Sequence, residues 1–189
     1  MKRPRRNVAW VALALTCAAA AIAATTWHVD ARQSRLSFTG MQAGAPFEGV
    51  FQRFTAGIQF DPKDLASSRF DVSIDLKSVD TKDKDRDTTI KGPDIFATER
   101  WPTSYFIADK FTDKGGGKYS SVGKLTLRGV TKDVPIEFTL QTDPSGGGAW
   151  LKGSAALKRL DFGAGQGDWS STEWVGNDVK VQFAIKLST

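Results

Sequence analysis

The sequence predicts an all-β fold: a single antiparallel up-and-down β-barrel of about eight strands, with one or two short helices near residues 82–98. The first observation is a period-two alternation of apolar and polar residues, clearest in Phe70-Asp71-Val72-Ser73-Ile74-Asp75-Leu76, which marks a half-buried strand. Because nearly every such segment keeps one wet face, the sheet is antiparallel; parallel sheets give continuous apolar runs. The second is turn chemistry between the segments: Lys114-Gly115-Gly116-Gly117, Gly129-Val130-Thr131-Lys132-Asp133 and Asp143-Pro144-Ser145-Gly146-Gly147-Gly148 read as hairpin connections. The third is that only Asp80 to Ser104 abandons the alternation for charge and helix-like spacing.

In chain order, Lys2, Arg3, Arg5 and Arg6 precede an apolar run from Val8 to Ala20 and the small-residue exit Ala21-Ile22-Ala23-Ala24. This is the pattern of a secretory signal peptide, residues 1–23, followed by one domain, 24–189. The run is shorter than the roughly 20 residues of a membrane-spanning helix. Cleavage after Ala23 removes four basic residues and leaves 22 basic against 21 acidic. The expected periplasmic domain therefore has no charge excess that would favour nucleic acid. Cys17 lies inside the run, where Thr16 departs from the small residue that usually precedes a lipidated cysteine, so the exported domain is expected to be free of thiols and disulfides.

The alternation then places Leu36 and Phe38 on one face, followed by Phe54, Ala56, Ile58 and Phe60. It recurs through Leu125 and Leu127, Val134 to Leu140, Leu151 to Leu157 with smaller residues, and Val179 to Leu187. Closing about eight such strands into a barrel removes exposed edges, although a two-sheet sandwich fits the periodicity nearly as well. Between residues 80 and 104, Arg86-Asp87-Thr88-Thr89-Ile90 and Pro93-Asp94-Ile95-Phe96 are candidate helical turns that would cap one barrel end.

The inventory of reactive residues argues against catalysis. His28 is the single histidine, near the start of the domain, so neither a Ser-His-Asp site nor a multi-histidine zinc site is expected. Asp83, Asp85, Asp87 and Asp94 imitate a calcium loop, but Thr88 stands where a turn glycine is needed and Lys84 and Arg86 oppose a cation. The glycine runs join strands rather than opening helices, which is not a phosphate loop. No metal and no cofactor is expected. What is left is the apolar face, and periodicity alone does not say whether it fills the barrel or lines a cavity.

The order of motifs resembles the YceI family of exported proteins with an extended lipocalin-like barrel. The resemblance runs from Trp27-His28-Val29-Asp30 and Ser34-Arg35-Leu36-Ser37-Phe38, through Phe47-Glu48-Gly49-Val50-Phe51 and Ile58-Gln59-Phe60-Asp61-Pro62, to Arg86-Asp87, Phe96 and Trp101-Pro102. Its most specific part is the hairpin Gly123-Lys124-Leu125-Thr126-Leu127-Arg128-Gly129-Val130-Thr131-Lys132-Asp133-Val134. Arg159-Leu160-Asp161-Phe162-Gly163 and Val175-Gly176-Asn177-Asp178-Val179 complete it.

The resemblance implies non-catalytic binding of an elongated isoprenoid lipid, polyprenyl or quinone-like, and suggests a homodimer. Gln42-Ala43-Gly44-Ala45-Pro46-Phe47 is similar to the subgroup found with b-type cytochromes, which implies such a membrane partner. Candidate lining residues are Phe38; Phe54, Ile58 and Phe60; Val72, Ile74 and Leu76; Ile107 and Leu125; Ile136 and Phe138; Leu151; and Val181, Phe183 and Ile185. Arg86 is expected at the mouth, either contacting a phosphate or quinone head or pairing with a nearby Asp. The alternatives are a filled barrel with a structural or stress-response role, and a hydrolase using an unrecognised carboxylate site.

Overall fold

A computed structural model describes residues 25–144 and 146–188, so the signal segment and Cys17 lie outside the described residues. The strands are β1 (Thr26–Gln42), β2 (Ala45–Phe51), β3 (Phe54–Gln59), β4 (Arg69–Asp75), β5 (Val79–Asp80), β6 (Thr103–Ala108), β7 (Phe111–Gly115), β8 (Lys118–Leu127), β9 (Val130–Thr142), β10 (Gly148–Lys158) and β11 (Asp178–Ser188). One α-helix, α1 (Lys84–Lys91), accompanies four short 3₁₀ turns. Every pairing in the sheet is antiparallel, and β11 returns to β1 to close it, with Phe38 opposite Val181. The barrel has eight staves.

Three staves are each made of two strands. β2 and β3 lie end to end along β1, β4 and β5 continue one another beside them, and β6 and β7 do the same along β8. The interruptions are sealed by buried serines. Ser78 Oγ donates to the Asp75 carbonyl at 2.6 Å and accepts from Arg53 N–H at 3.0 Å. Ser121 Oγ donates to the Lys110 carbonyl at 2.6 Å. The serines thus satisfy the Arg53 N–H and the Asp75 and Lys110 carbonyls where the strands break.

The expected turn at 129–133 is shorter than the sequence suggests. Arg128 and Gly129 alone form the loop between Leu127 and Val130, both with positive φ (53° and 75°), and β9 begins at once. A two-residue loop with this backbone matches the twist of the flanking strands. At Gly129 a Cβ would also meet Trp101 Nε1 at 2.7 Å, so glycine satisfies both the backbone and the space. Arg128 reaches from this turn to the segment after α1, where its guanidinium donates to the Pro93 and Ile95 carbonyls.

α1 forms where Asp83 caps it, its carboxylate accepting the N–H groups of Asp85 and Arg86. Asp87 accepts from Thr81 N–H and Oγ, at 2.8 and 2.7 Å. The acidic cluster is therefore a capping device, and no group of three His, Cys, Asp or Glu suited to a metal occurs among the described residues. The second candidate start, Pro93-Asp94-Ile95-Phe96, forms hydrogen-bonded turns instead of a helix, with Ala97 N–H returning to Gly92 O at 2.7 Å. As expected, this segment covers one barrel end: Ile90 and Ile95 are buried against Phe38, Phe51 and Leu76.

Candidate ligand-binding site

The barrel interior is closed at one end and hollow toward the other. Phe60, Phe70, Phe111, Tyr119 and Phe138 nest at the closed end, with the Phe60 ring 4.9 Å from Tyr119, 5.3 Å from Phe138 and 5.4 Å from Phe111. The edge-on arrangement of several pairs is the favourable one for aromatic quadrupoles. Trp27 Nε1 donates to the Phe60 carbonyl at 3.0 Å and ties the first strand across this plug. Burial pushes the Tyr119 phenol above its ordinary pKa, reinforced by the charge of Asp113.

Above the plug lies a cavity of about 210 Å³, bounded at its other end by Ile90, Ile95, Phe96 and Val175. That is more than tenfold the roughly 10–15 Å³ that one water needs. The space exists because the inward phase of several staves is small: Gly40, Ala56 and Ala155 stand on the wall among Leu36, Leu127, Leu157 and Val179.

Only two wall residues have polar side chains, and both are committed elsewhere. Ser104 Oγ donates to the Thr126 carbonyl at 2.7 Å. Arg159, only 6% exposed, donates Nε–H to Gly176 O, and its terminal nitrogens donate to the carbonyls of Ala164, Trp169, Ser171 and Val175 at 2.7–3.0 Å. Burial pulls this guanidinium below its ordinary pKa, and all of its partners are carbonyl oxygens. No buried side-chain nitrogen or oxygen among the described residues lacks a partner. The lumen therefore offers a guest apolar surface and no free directional group.

Twelve of the sixteen residues expected at the site line this lumen: Phe38, Phe54, Ile58, Val72, Ile74, Leu76, Leu125, Ile136, Leu151, Val181, Phe183 and Ile185. Phe60 and Phe138 belong to the plug instead. Ile107 points outward and is 37% exposed, because Ser104, Phe106 and Ala108 take the inner phase of β6. The run Tyr105-Phe106-Ile107 is apolar on both phases, so its parity is not legible from the sequence. Arg86 sits at the rim outside the lining: Nε donates to Gln42 Oε1 at 2.9 Å, a terminal nitrogen lies 3.5 Å from Asp83 Oδ2, and the guanidinium covers the Phe47 ring at 4.6 Å. Arg86 thus pairs with a nearby Asp, the cap of its own helix, and its bond to Gln42 reaches across to β1.

Sequence reasoning missed Phe106 for that parity reason, and Arg159 because a charged residue gives no apolar signal. It also missed Val175 and Gly176, which reach the wall on an irregular segment. That segment is strapped to the β1–β2 hairpin: Ala43 N–H donates to Trp174 O at 2.8 Å and Gly176 N–H to Met41 O at 3.0 Å. His28 is exposed on β1, away from the lumen wall.

Comparison with known proteins agrees with this architecture. A UPF0312 protein of Vibrio vulnificus (strain YJ016) is 32% identical over 166 residues, covering 84% of this chain and 88% of that one. A UPF0312 protein of Vibrio parahaemolyticus is 35% identical over 119 residues, a match spanning 61% of this chain and 63% of that relative. Among solved structures, Burkholderia cenocepacia BcnA superimposes with a TM-score of 0.81 at 31% identity, covering 86% of this chain and 100% of that one. A polyisoprenoid binding domain from Saccharophagus degradans, implicated in plant cell wall breakdown, shares the fold at 16% identity, with a TM-score of 0.69, 88% of this chain and 99% of that one covered. The YceI-like domain model matches residues 27–187, from the tryptophan that ties β1 over the plug to the last buried leucine of β11, and the chain belongs to that family.

Proposed function

We propose that this protein binds an elongated isoprenoid lipid, polyprenyl or quinone-like, inside the barrel and carries it without chemical change. The observation that supports this most strongly is the lumen wall: it is apolar except for two side chains, Ser104 and Arg159, that have spent their donors on backbone carbonyls. A guest bound there gains roughly 2.5 kcal/mol for each 100 Å² of apolar surface withdrawn from water, so about 300 Å² approaches micromolar affinity before ordering costs. The polyisoprenoid binding function attributed to the domain from Saccharophagus degradans is consistent with such a guest.

The basic start, apolar run and small-residue exit support export to the periplasm through a cleaved signal peptide. The Gln42 to Phe47 stretch supports a b-type cytochrome as the membrane partner and hence a quinone-like guest. In that reading the guest's polar head remains at the rim near Arg86, whose side chain is 25% exposed.

The test is obstruction of the lumen. Ile74→Arg places an unpaired charge on the wall and is expected to abolish uptake of a polyprenyl lipid or quinone, with retention of the β circular-dichroism spectrum as the folding check. A folded Ile74→Arg protein that binds lipid as the wild type does would refute the proposal.

A further inference from the structure

Four aromatic rings of the lumen lie where the side chain of a glycine would otherwise be. A Cβ placed on Gly40, Gly49, Gly123 or Gly153 would stand closer than 3.0 Å to the rings of Phe47, Phe38, Phe106 and Phe183 respectively, an approach that real Cβ atoms essentially never make. All four rings border the cavity. Phe38 faces Gly49 and Gly40 faces Phe47 as consecutive inward pairs of β1 and β2, so the two rings are packed reciprocally across the hairpin. Gly153 faces Phe183 on β10 and β11. Gly123 stands one inward step from Leu125, which faces Phe106.

None of these glycines has positive φ, so the backbone does not require glycine there. Glycine inside a strand weakens it and gives up side-chain packing, and it commonly marks a close approach of another group. Here the group is a phenyl ring of the protein itself, laid onto the bare backbone as in other sheets where an aromatic covers a glycine. A ring lying on the wall leaves the axis of the barrel free; the same ring displaced from its glycine has the lumen in front of it.

We propose that Gly40, Gly49, Gly123 and Gly153 are specificity-determining residues that set the bore of the lumen by recessing four phenylalanine rings into its wall. The bore then admits a flexible methyl-branched hydrocarbon chain and rejects fused rings, and even a methyl group on these glycines narrows it. This rests on the lipid-binding reading above for its ligand, but the bore itself has a ligand-independent readout.

Of the four, Gly40 and Gly49 are the two positions where a Cβ meets only side chains, and Gly49 has the closer ring, Phe38, with Thr81 Cγ2 at 3.1 Å, so it is the position to test. At Gly123 and Gly153 the new methyl also strikes the Ile107 and Glu137 carbonyls, which would disturb strand pairing. The experiment compares wild type, Gly49→Ala and Gly49→Ala with Phe38→Leu, using retention of radiolabelled geranylgeraniol on gel filtration and xenon NMR titration of the cavity. Gly49→Ala should lose about tenfold or more in geranylgeraniol affinity, the effect a single methylene can have in an apolar pocket. It should also bind less xenon, and Phe38→Leu should restore both.

If Gly49→Ala does not fold, Phe38→Leu alone decides: it should gain xenon binding and accept cholesterol, which the wild type rejects. A folded Gly49→Ala with wild-type geranylgeraniol and xenon binding would overturn the inference, as would a Phe38→Leu protein that gains nothing. Wild-type protein that retains no geranylgeraniol contradicts the lipid-binding reading, and the xenon comparison then decides the bore by itself.

Discussion

The guanidinium of Arg86 lies 4.6 Å from the centre of the Phe47 ring, so that a charged residue of α1 covers an aromatic residue of the lumen wall. With its hydrogen bond to Gln42, this contact ties the helix that covers the barrel end to the β1–β2 hairpin. Arg86→Ala is expected to cost about 1 kcal/mol and lower Tm by about 2–4 °C. Arg86→Lys keeps the charge without the planar stack or the Nε donor, and should recover little of that loss. Thermal unfolding by circular dichroism checks both; an unchanged Tm in Arg86→Ala would contradict the pinning role.

Arg159 organises the segment that closes the rim, since five of its hydrogen bonds go to carbonyls between residues 164 and 176. Arg159→Met leaves those acceptors without their donor and is expected to destabilise the fold by roughly 3 kcal/mol. Lys has three donors on one point charge and should restore only part of this. Urea unfolding gives the stability, and hydrogen exchange should show lost protection at Ala43 and Gly176, whose N–H groups strap the segment to the hairpin. An Arg159→Lys protein equal to wild type in both would contradict the assignment.

Asp80, at the end of β5 ahead of α1, carries a carboxyl lowered from 3.8 to about 2, chiefly by the hydrogen bond from the Lys82 ammonium and then by the Lys82 N–H. Because the folded value is below the unfolded one, its stabilising contribution is complete above pH 3.8 and is lost as pH falls through about 2. Asp80→Asn should therefore lower Tm slightly at pH 7 and leave it equal to wild type below pH 2, where both side chains are neutral. A Tm difference that persists at the acid end would show that Asp80 acts through something other than its charge.

Much of this architecture was legible in the sequence because a strand's two faces alternate in register with its residues. Phe70, Val72 and Ile74 could be assigned to one face of one stave from the pattern alone, and β4 carries them so. Where apolar residues occupy both phases, as at Tyr105-Phe106-Ile107, the rule says nothing, and Ile107 was placed on the wrong side. The difference between plug and lumen was also hidden. Phe60 and Phe138 have the same inward parity as Phe38 and Phe183, and only the height of each residue along the barrel, set by stagger between strands, separates a packed ring from one beside a cavity. The hollow itself depends on what stands opposite each ring, and a glycine in a strand carries no apolar signal.

Whether the lumen carries an isoprenoid lipid is decided by native mass spectrometry of the mature protein, purified gently from a Gram-negative periplasm and followed by lipid extraction of the same sample. The expected result is a stoichiometric adduct that extracts as a polyprenyl compound or quinone. Protein at its bare sequence mass, still empty after incubation with quinones and polyprenyl phosphates, would contradict it.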